Sequence, residues 1–189
     1  MAGLPHWKNS QAATNYYEPI FLNQFEVVIT PPQVITKNVN LLVEHVTKIT
    51  GLPEITPTLT VEQKYKFAQR SFAAAAPEKT VADLVVVFTV NLNDDNEAYI
   101  YNIMRAWSDI TYDPLTGRQG LKKDYIGQMA VTIFNKQGKV FREFKFTPVF
   151  PFGKLTEMQL DYSSPGLYEL TVNFRADNWT ETRLGQIKI

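Results

Sequence analysis

The segment from Leu84 to Val90 constrains the fold more than any other part of the chain, because it is almost continuously apolar. It reads Leu-Val-Val-Val-Phe-Thr-Val and lies within a predicted strand from Thr80 to Asn91. A half-solvated strand alternates apolar and polar residues, since successive side chains point to opposite faces. A strand that is apolar on both faces must therefore be covered on both faces. In an antiparallel protein of this size the cover is a second sheet, a helix or another subunit.

Shorter alternating segments on either side of this run predict further strands. They are rich in β-branched and aromatic residues and are bounded by Pro, Gly and Asn. Gly138 lies between two of them, where it can take the positive φ of a bulged hairpin turn. Residues 73–76 followed by Pro77 predict a loop. The predicted strands are Gln24–Thr30, Asn40–Ile49, Leu59–Phe67, Gln128–Asn135, Val140–Phe146 and Leu167–Asn173.

One amphipathic helix is predicted at about residues 95–110. The acidic segment 94–97 supplies cap residues and first-turn negative charge, which complement the helix dipole. Apolar side chains then recur at helical spacing until Asp113 and Pro114 end the pattern. The apolar stripe consists of Ile100, Ile103, Met104 and Trp107. Many strands and one helix predict a mainly β fold, an antiparallel two-sheet sandwich or barrel with one flanking α-helix.

The chain of 189 residues is predicted to form one domain with an extension at each end. Residues 1–23 mix polar residues with isolated aromatics and are predicted to be an N-terminal arm, either a floppy terminus or an arm that orders against a neighbouring subunit. The β domain covers residues 24–179, and residues 180–189 form a C-terminal extension. The polar start lacks the apolar core of a secretory signal, and no window approaches the ~20 apolar residues of a membrane span.

The composition disfavours thiol chemistry and nucleic-acid recognition. The chain has no cysteine, which removes disulfides, thiol nucleophiles and cysteine-based zinc sites. Its 19 basic residues equal its 19 acidic residues, whereas a protein that grips nucleic acid usually has a basic excess. Neutrality also leaves little repulsion between copies of the chain. Aromatic residues reach 13%, and such side chains fill both protein cores and protein interfaces.

Three patterns resemble chemical sites, and each has a simpler explanation. His45 has no carboxylate placed to orient it, because the adjacent Glu44 points to the opposite face of a strand. The acidic cluster at 94–97 has too few carboxylates for a calcium loop and is explained by helix capping. The Gly-Arg-Gln-Gly segment at 117–120 matches the GXXG loop of KH domains without a helix on each side. It is explained as a flexible basic loop or as a loop that orders against a neighbour. We expect no catalytic residue, no metal and no cofactor.

The last third of the chain carries the most specific pattern. An apolar-to-polar segment runs from Phe150 to Asp161, a Ser-Ser-Pro-Gly turn follows, and an alternating segment runs from Tyr168 to Trp179. Three earlier landmarks stand in a matching order, at residues 19–27, 50–67 and 80–107. Over residues 19–179 the four landmarks resemble the tail tube proteins of T-even-type contractile phage tails. They are similar, more distantly, to the Hcp protein of type VI secretion and to the tubes of extracellular injection systems.

The resemblance implies a structural protein and not an enzyme. Six copies would form a ring, and rings would stack into a hollow tube that conducts DNA without specific binding, so its wall is expected to lack a strong positive field. The implied partners are further copies of the chain, the sheath protein, the tape measure protein, the baseplate and the tail terminator, with no membrane. The implied location is the virion tail, assembled in the host cytoplasm. The alternatives are a type VI or extracellular injection tube and, from another class, a monomeric ligand-binding β-barrel.

A tube subunit needs two different interfaces, because a ring closes head to tail whereas stacking uses a contact that does not close. The predicted strand Leu59–Phe67 is the candidate for a sheet shared between subunits, which would also remove exposed strand edges. The arm and the loop after Gly51 are the candidates for stacking. Residues 110–124 and 180–189 look like additions to the pattern. The candidate interface residues are Trp7, Tyr16, Tyr17, Phe21, Leu52, Pro53, Leu59, Val61, Tyr65, Phe67 and Trp179.

Overall fold

A computed structural model describes residues 21–35, 41–54, 59–74, 81–92, 99–155, 163 and 166–183. Within these ranges the chain is mainly β with antiparallel pairing and one long helix, which confirms the predicted fold class. The helices are α1 Leu41–Glu44, α2 Tyr99–Thr111 and α3 Lys122–Tyr125. The strands are β1 Phe25–Thr30, β2 Val46–Thr50, β3 Leu59–Tyr65, β4 Ala68–Ala74, β5 Ala82–Thr89, β6 Tyr112–Asp113, β7 Arg118–Gln119, β8 Gly127–Phe134, β9 Val140–Phe152, β10 Glu169–Ala176 and β11 Trp179–Arg183.

Seven strands form one sheet in the order β1-β8-β9-β10-β5-β2, with β11 paired to β9 beside this path. The long strand β9 organises the sheet, because one edge pairs with β8 while the other pairs with β11 and then with β10. At the junction, which includes the cis peptide Thr147–Pro148, the amide of Thr147 donates to the carbonyl oxygen of Asn178 at 3.0 Å. The backbone N–H of Asp177 donates a hydrogen bond to the carbonyl oxygen of Pro148 at 3.2 Å. β10 and β11 therefore follow β9 as one interrupted strand.

The core lies between one face of this sheet and helix α2. In β5, Leu84, Val86 and Phe88 are fully buried, whereas Val85 and Val87 on the other face are only half-buried. The helix contributes the predicted apolar stripe, and all four of its residues are buried. Burial of each large apolar side chain contributes about 1.5–3 kcal/mol. The apolar run of β5 is thus covered on one face, and its second face is left partly open.

Trp107 fixes α2 against the sheet. Its indole N–H donates a hydrogen bond to the carbonyl oxygen of Tyr125 at 2.7 Å, and its ring meets Phe174 edge-on with centroids 5.6 Å apart. Gly127 begins β8 directly against the indole ring. A Cβ at this position would lie 2.7 Å from the indole and 2.5 Å from the carbonyl oxygen of Thr30. Glycine is therefore required for this close approach of strand and helix.

Most of the predicted elements are confirmed with shifted ends. β1, β5, β8 and β9 lie where the sequence pattern predicted strands, and Gly138 takes a φ of 72° in the β8–β9 turn. β10 covers 169–176, where 167–173 was predicted. Residues 110–124, treated above as an addition, contain the end of α2, the small hairpin β6–β7 and most of α3.

Three predictions are wrong. Residues 41–44 form α1 and not half of a strand, because Leu42 is buried in the core and tertiary packing overrides β propensity. Residues 73–74 complete β4 instead of starting a loop. Residues 180–183 are not an extension, since they belong to β11 and pair with β9. The predicted cap at 94–97, Pro77 and residues 184–189 lie outside the described residues.

Replacement of Gly127 tests the packing of α2. Gly127→Ala is expected to lower the free energy of unfolding by about 1–3 kcal/mol, because the added methyl group would collide with Trp107 and with the backbone of β1. The matched control is Gly166→Ala, since a Cβ at Gly166 meets nothing within 4 Å. Urea unfolding of both variants beside the parent protein measures the difference. Equal stability of the two variants would contradict the packing described for Trp107.

Candidate assembly surface

The hairpin β3–β4 stands apart from the seven-stranded sheet, and every residue from 60 to 73 is exposed. Its strands pair in one continuous register, from Leu59 opposite Ala74 to Tyr65 opposite Ala68. In sequence it lies between β2 and β5, two neighbouring strands of the main sheet. A two-stranded hairpin without a packing partner is marginally stable in water. The hairpin therefore gains stability from any surface that covers it.

Alternation gives the hairpin one mainly apolar face, on which Gln63 lies opposite Arg70, and one polar face. Val61 lies opposite Phe72 and Tyr65 lies opposite Ala68, all on the same face. Arg70 shares this face and extends over the ring of Tyr65, with its guanidinium carbon 5.8 Å from the ring centroid. The polar face carries Thr60, Glu62, Lys64, Gln69, Ser71 and Ala73. One side of the hairpin thus offers aliphatic, aromatic and arginine contacts, the residue types enriched at protein interfaces.

The tip of the hairpin adds an exposed aromatic residue among positive charges. Phe67 is 94% exposed, and the ammonium group of Lys66 lies 6.0 Å from its ring centroid. The described hairpin carries three cations and one carboxylate, namely Lys64, Lys66, Arg70 and Glu62. The structure therefore brings three of the predicted interface residues together on one protruding element: Val61, Tyr65 and Phe67.

Residues 51–54, which we call the root of the hairpin, lead from β2 toward β3 and pack on the main sheet and its core, the body of the protomer. Gly51 has a φ of 85°, and its Cα lies too close to the backbone of Asp83 for any side chain to fit. Leu52 packs against the core, and Pro53 is half-buried. The loop after Gly51, predicted to be a stacking surface, is thus partly committed to the protomer itself.

An arginine joins this root to two other strands. Arg142 on β9 donates two hydrogen bonds to the carboxylate of Glu54, at 2.8 and 3.1 Å, and one from Nε to Glu181 on β11 at 2.6 Å. Its guanidinium carbon lies 4.8 Å from the ring centroid of Phe144. The hydrogen bonds to Glu54 and Glu181 raise the pKa of Arg142 above its ordinary value, against the opposing effect of burial. Sequence reasoning missed this cluster, because its members are far apart along the chain.

The remaining predicted interface residues are dispersed. Phe21 is exposed, with the ammonium group of Lys136 5.0 Å from its ring centroid. Trp179 was assigned to the interface wrongly, because β11 directs it into the core, where it is 7% exposed and its ring centroid lies 6.4 Å from that of Phe144. Trp7, Tyr16, Tyr17 and the side chain of Leu59 lie outside the described residues.

The face of the main sheet opposite α2 is close to neutral. Arg175 donates two hydrogen bonds to Asp83, at 2.9 and 3.1 Å, and Lys145 lies 3.2 Å from Glu143. The hydrogen bond from Arg175 holds the pKa of Asp83 below its ordinary value. By strand alternation the charged residues on this face are Glu26, Asp83, Glu143, Glu169, Lys48, Lys145 and Arg175. The middle strands carry uncharged side chains there, including Ala130, Thr132, Thr171 and Asn173.

Two of the three sequence patterns that resembled chemical sites take up structural roles, and the acidic cluster at 94–97 lies outside the described residues. His45 lies between α1 and β2, with Nδ1 3.1 Å from the side-chain nitrogen Nδ2 of Asn91. The middle two residues of the 117–120 segment form β7, and Lys122 is ion-paired with Asp177. In the described ranges, no three carboxylate or histidine side chains cluster as metal ligands would. None of the helices placed by the structure is long and apolar enough to cross a membrane.

An open groove of about 750 Å³ follows the outer side of α2. Arg105 and Asp109 form an ion pair on its helical wall, with Nε 3.1 Å from Oδ1. Burial raises the pKa of Tyr168 on the opposite wall, and Tyr101 adds to this shift. This open, mixed lining differs from the enclosed apolar cavity that a ligand-binding barrel presents.

No family model matches the sequence, and no curated protein is significantly similar to it. The fold does match solved structures. The cap that terminates the tube of the anti-feeding prophage is similar over 91% of this chain and 96% of its own, with 17% identity and a TM-score of 0.57. A chain of the extended sheath–tube complex of the extracellular contractile injection system PVC is similar over 93% and 97%, with 15% identity and a TM-score of 0.55. A chain of the 6-fold symmetrised baseplate of the anti-feeding prophage is similar over 90% and 99%, with 10% identity and a TM-score of 0.51.

These neighbours are structural parts of contractile injection systems and not enzymes. The chain therefore has a tail-tube-like fold, as the sequence resemblance implied. The similarity extends over nearly the whole length of both partners in each comparison.

Proposed function

We propose that this chain is the tube protein of a contractile phage tail, in which rings of six copies stack into the conduit for DNA. The observation that carries the proposal is the apolar face of the hairpin β3–β4, which the described protomer leaves uncovered. We propose that a second copy of the chain covers this face. The tail-tube-like fold supports a structural role in such a particle, and the 6-fold symmetry applied to one neighbour's baseplate supports rings of six.

The hairpin makes the head-to-tail contact in this proposal. Val61, Tyr65 and Phe72 of one copy pack on the body of the next, so the same pair of unlike surfaces repeats around the ring. Sheet edges contribute to the ring as well. β1 and β2 end the path of the main sheet, and each has one side that the described strands do not pair. Burial of these edges between copies removes a site of uncontrolled strand pairing.

The face of the main sheet opposite α2 lines the channel. Its carboxylates and cations nearly balance, and two of the cations are held in pairs with Asp83 and Glu143. Such a wall has no field that would retain the phosphate backbone of DNA, whose binding depends on an excess of lysine and arginine. DNA therefore passes through the tube without being held. The sheath protein then surrounds the tube, the tape measure protein occupies the channel before DNA, and the baseplate and terminator meet its ends.

A second candidate is the tube, cap or terminator of an injection system that carries protein effectors. The source of the structural neighbours favours this candidate, since they come from the anti-feeding prophage and from PVC. The ring and the stack would be the same, and only the cargo would differ. Adjacent genes for a portal and a terminase would support the phage tail, whereas genes for secretion components or toxins would support the injection system.

A monomeric ligand-binding β-barrel fits the structure less well. A barrel of that kind closes its strand edges and keeps its hydrophobic surface inside. Here the described hairpin exposes Val61, Tyr65 and Phe72 on one face, and the groove beside α2 is open to solvent.

Substitution of the apolar hairpin face tests the ring contact. The double variant Val61→Ser/Phe72→Ser should keep the stability of the protomer within about 0.5 kcal/mol, because both side chains are exposed. The yield of rings and tubes should fall by at least about tenfold, because two buried apolar contacts are lost from every interface. Negative-stain microscopy and sedimentation velocity measure the yield. The matched control is Gln69→Ser on the polar face, and an equal loss in both variants would contradict the assigned face.

Deletion of residues 1–18 tests the proposed role of the arm in stacking. The truncated chain should remain folded, because the described core draws on no residue before Phe25, yet tube growth should be impaired. Tube length measured by electron microscopy is the readout, with circular dichroism as the check on folding. In the chain without the deletion, replacement of Trp7, Tyr16 and Tyr17 by alanine should reproduce the defect, whereas alanine at Asn9, Ser10 and Gln11 should not. Unchanged tube yield after deletion would refute this role.

A further inference from the structure

We infer that Arg142 is a positioning residue, which fixes the direction of the β3–β4 hairpin by holding Glu54 against β9 and β11. The inference rests on the proposed function, because the direction of the hairpin matters only if the hairpin docks on a neighbour. It concerns a contact within one copy of the chain, whereas the proposed function concerns contacts between copies.

The contact joins three segments that the sequence separates widely. Glu54 lies 88 residues from Arg142, and Glu181 lies 39 residues from it. In the sheet order, β2 is an edge strand and β9 is three strands away. The chain that leaves β2 at Thr50 nevertheless meets Arg142 within four residues, at Glu54. No backbone pairing in the described ranges joins residues 51–54 to β9, so side chains make this link.

Arg142 is held in place independently of Glu54. Glu181, whose side chain is 2% exposed, accepts the hydrogen bond from Nε and neutralises the charge from the core side. The guanidinium group also packs over the ring of Phe144. The two remaining terminal nitrogens then form a fixed fork that points at Glu54. A bidentate arginine–carboxylate pair restricts angles as well as distance, which a single lysine contact would not do.

Only four residues separate Glu54 from the hairpin in sequence. Residues 55–58 read Ile-Thr-Pro-Thr. Proline fixes its own φ and restricts the residue before it, and the three other residues are β-branched. A restraint at Glu54 therefore acts close in sequence to the first residue of β3, with only residues 55–58 between them.

Because Glu54 is exposed, we expect its ion pair with Arg142 to affect the direction of the hairpin more than the stability of the fold. Its side chain is 70% exposed, and ion pairs with an exposed partner add little to the stability of a fold. Loss of this carboxylate leaves the buried Arg142–Glu181 pair intact, so the body keeps its shape. Without the carboxylate, the hairpin can point in a wider range of directions relative to the main sheet. Formation of a ring must then restrict the hairpin to one direction, which adds to the entropic cost of association.

The test uses the absence of native cysteines, which allows clean double labelling with nitroxides. One label is placed at Ser71→Cys on the hairpin and the other at Gln137→Cys on the exposed β8–β9 turn of the body. Distances are measured by pulsed electron paramagnetic resonance on the unassembled fraction. Glu54→Gln is compared with Glu44→Gln, an exposed carboxylate on α1 with no part in the contact.

We expect Glu54→Gln to broaden the distance distribution at least about twofold, with the thermal midpoint of unfolding unchanged. We also expect the concentration required for assembly to rise about three- to tenfold. Glu44→Gln should change none of these quantities. An unaltered distribution in Glu54→Gln overturns the inference whether or not tubes form. A broadened distribution with normal assembly overturns the link to docking. If the parent protein never assembles, the proposed function fails, while the distance measurement still decides the role of Arg142 within the protomer.

Discussion

The hairpin β3–β4 turns Val61, Tyr65 and Phe72 toward solvent on one face, and each of them is at least 50% exposed. Apolar surface of this kind contributes roughly 25 cal/mol for each Å² that is removed from water, and a lone two-stranded hairpin has little other stability to draw on. The free protomer would therefore be stabilised by a partner that buries this surface. In the proposed ring, another copy of the same chain covers this surface.

The body of the protomer is built to present this hairpin from a rigid base. β9 is paired along both edges, Trp107 locks α2 onto the sheet, and the close backbone approach at Gly127 leaves no room for adjustment. Arg142 extends the same rigidity to the root of the hairpin. A stiff body with one protruding element suits an assembly in which every subunit must repeat the same contact, because loss of freedom on association is then small.

Strong periodicity made much of the fold predictable, and its absence explains the misses. The stripe that ends at Trp107 follows one period over many residues, so its burial could be anticipated. The continuous apolar run of β5 predicted cover on both faces, and in the described protomer one face is fully buried while the other is half-buried. β4 reads Ala-Gln-Arg-Ser-Phe-Ala-Ala and has weak β propensity of its own, so pairing with β3 makes it a strand. Trp179 turns inward because the break at residues 177–178 shifts the alternation between β10 and β11. The Arg142–Glu54 contact, 88 residues apart, left no local signal.

Amide hydrogen exchange across residues 59–74 tests the central claim most directly, because it compares the hairpin before and after assembly in one experiment. The account predicts rapid exchange in the unassembled protomer and strong protection in rings and tubes, while β8 and β9 stay protected in both states. A hairpin that is already protected in a monomer at high concentration would show that it needs no second copy. That result would contradict the account.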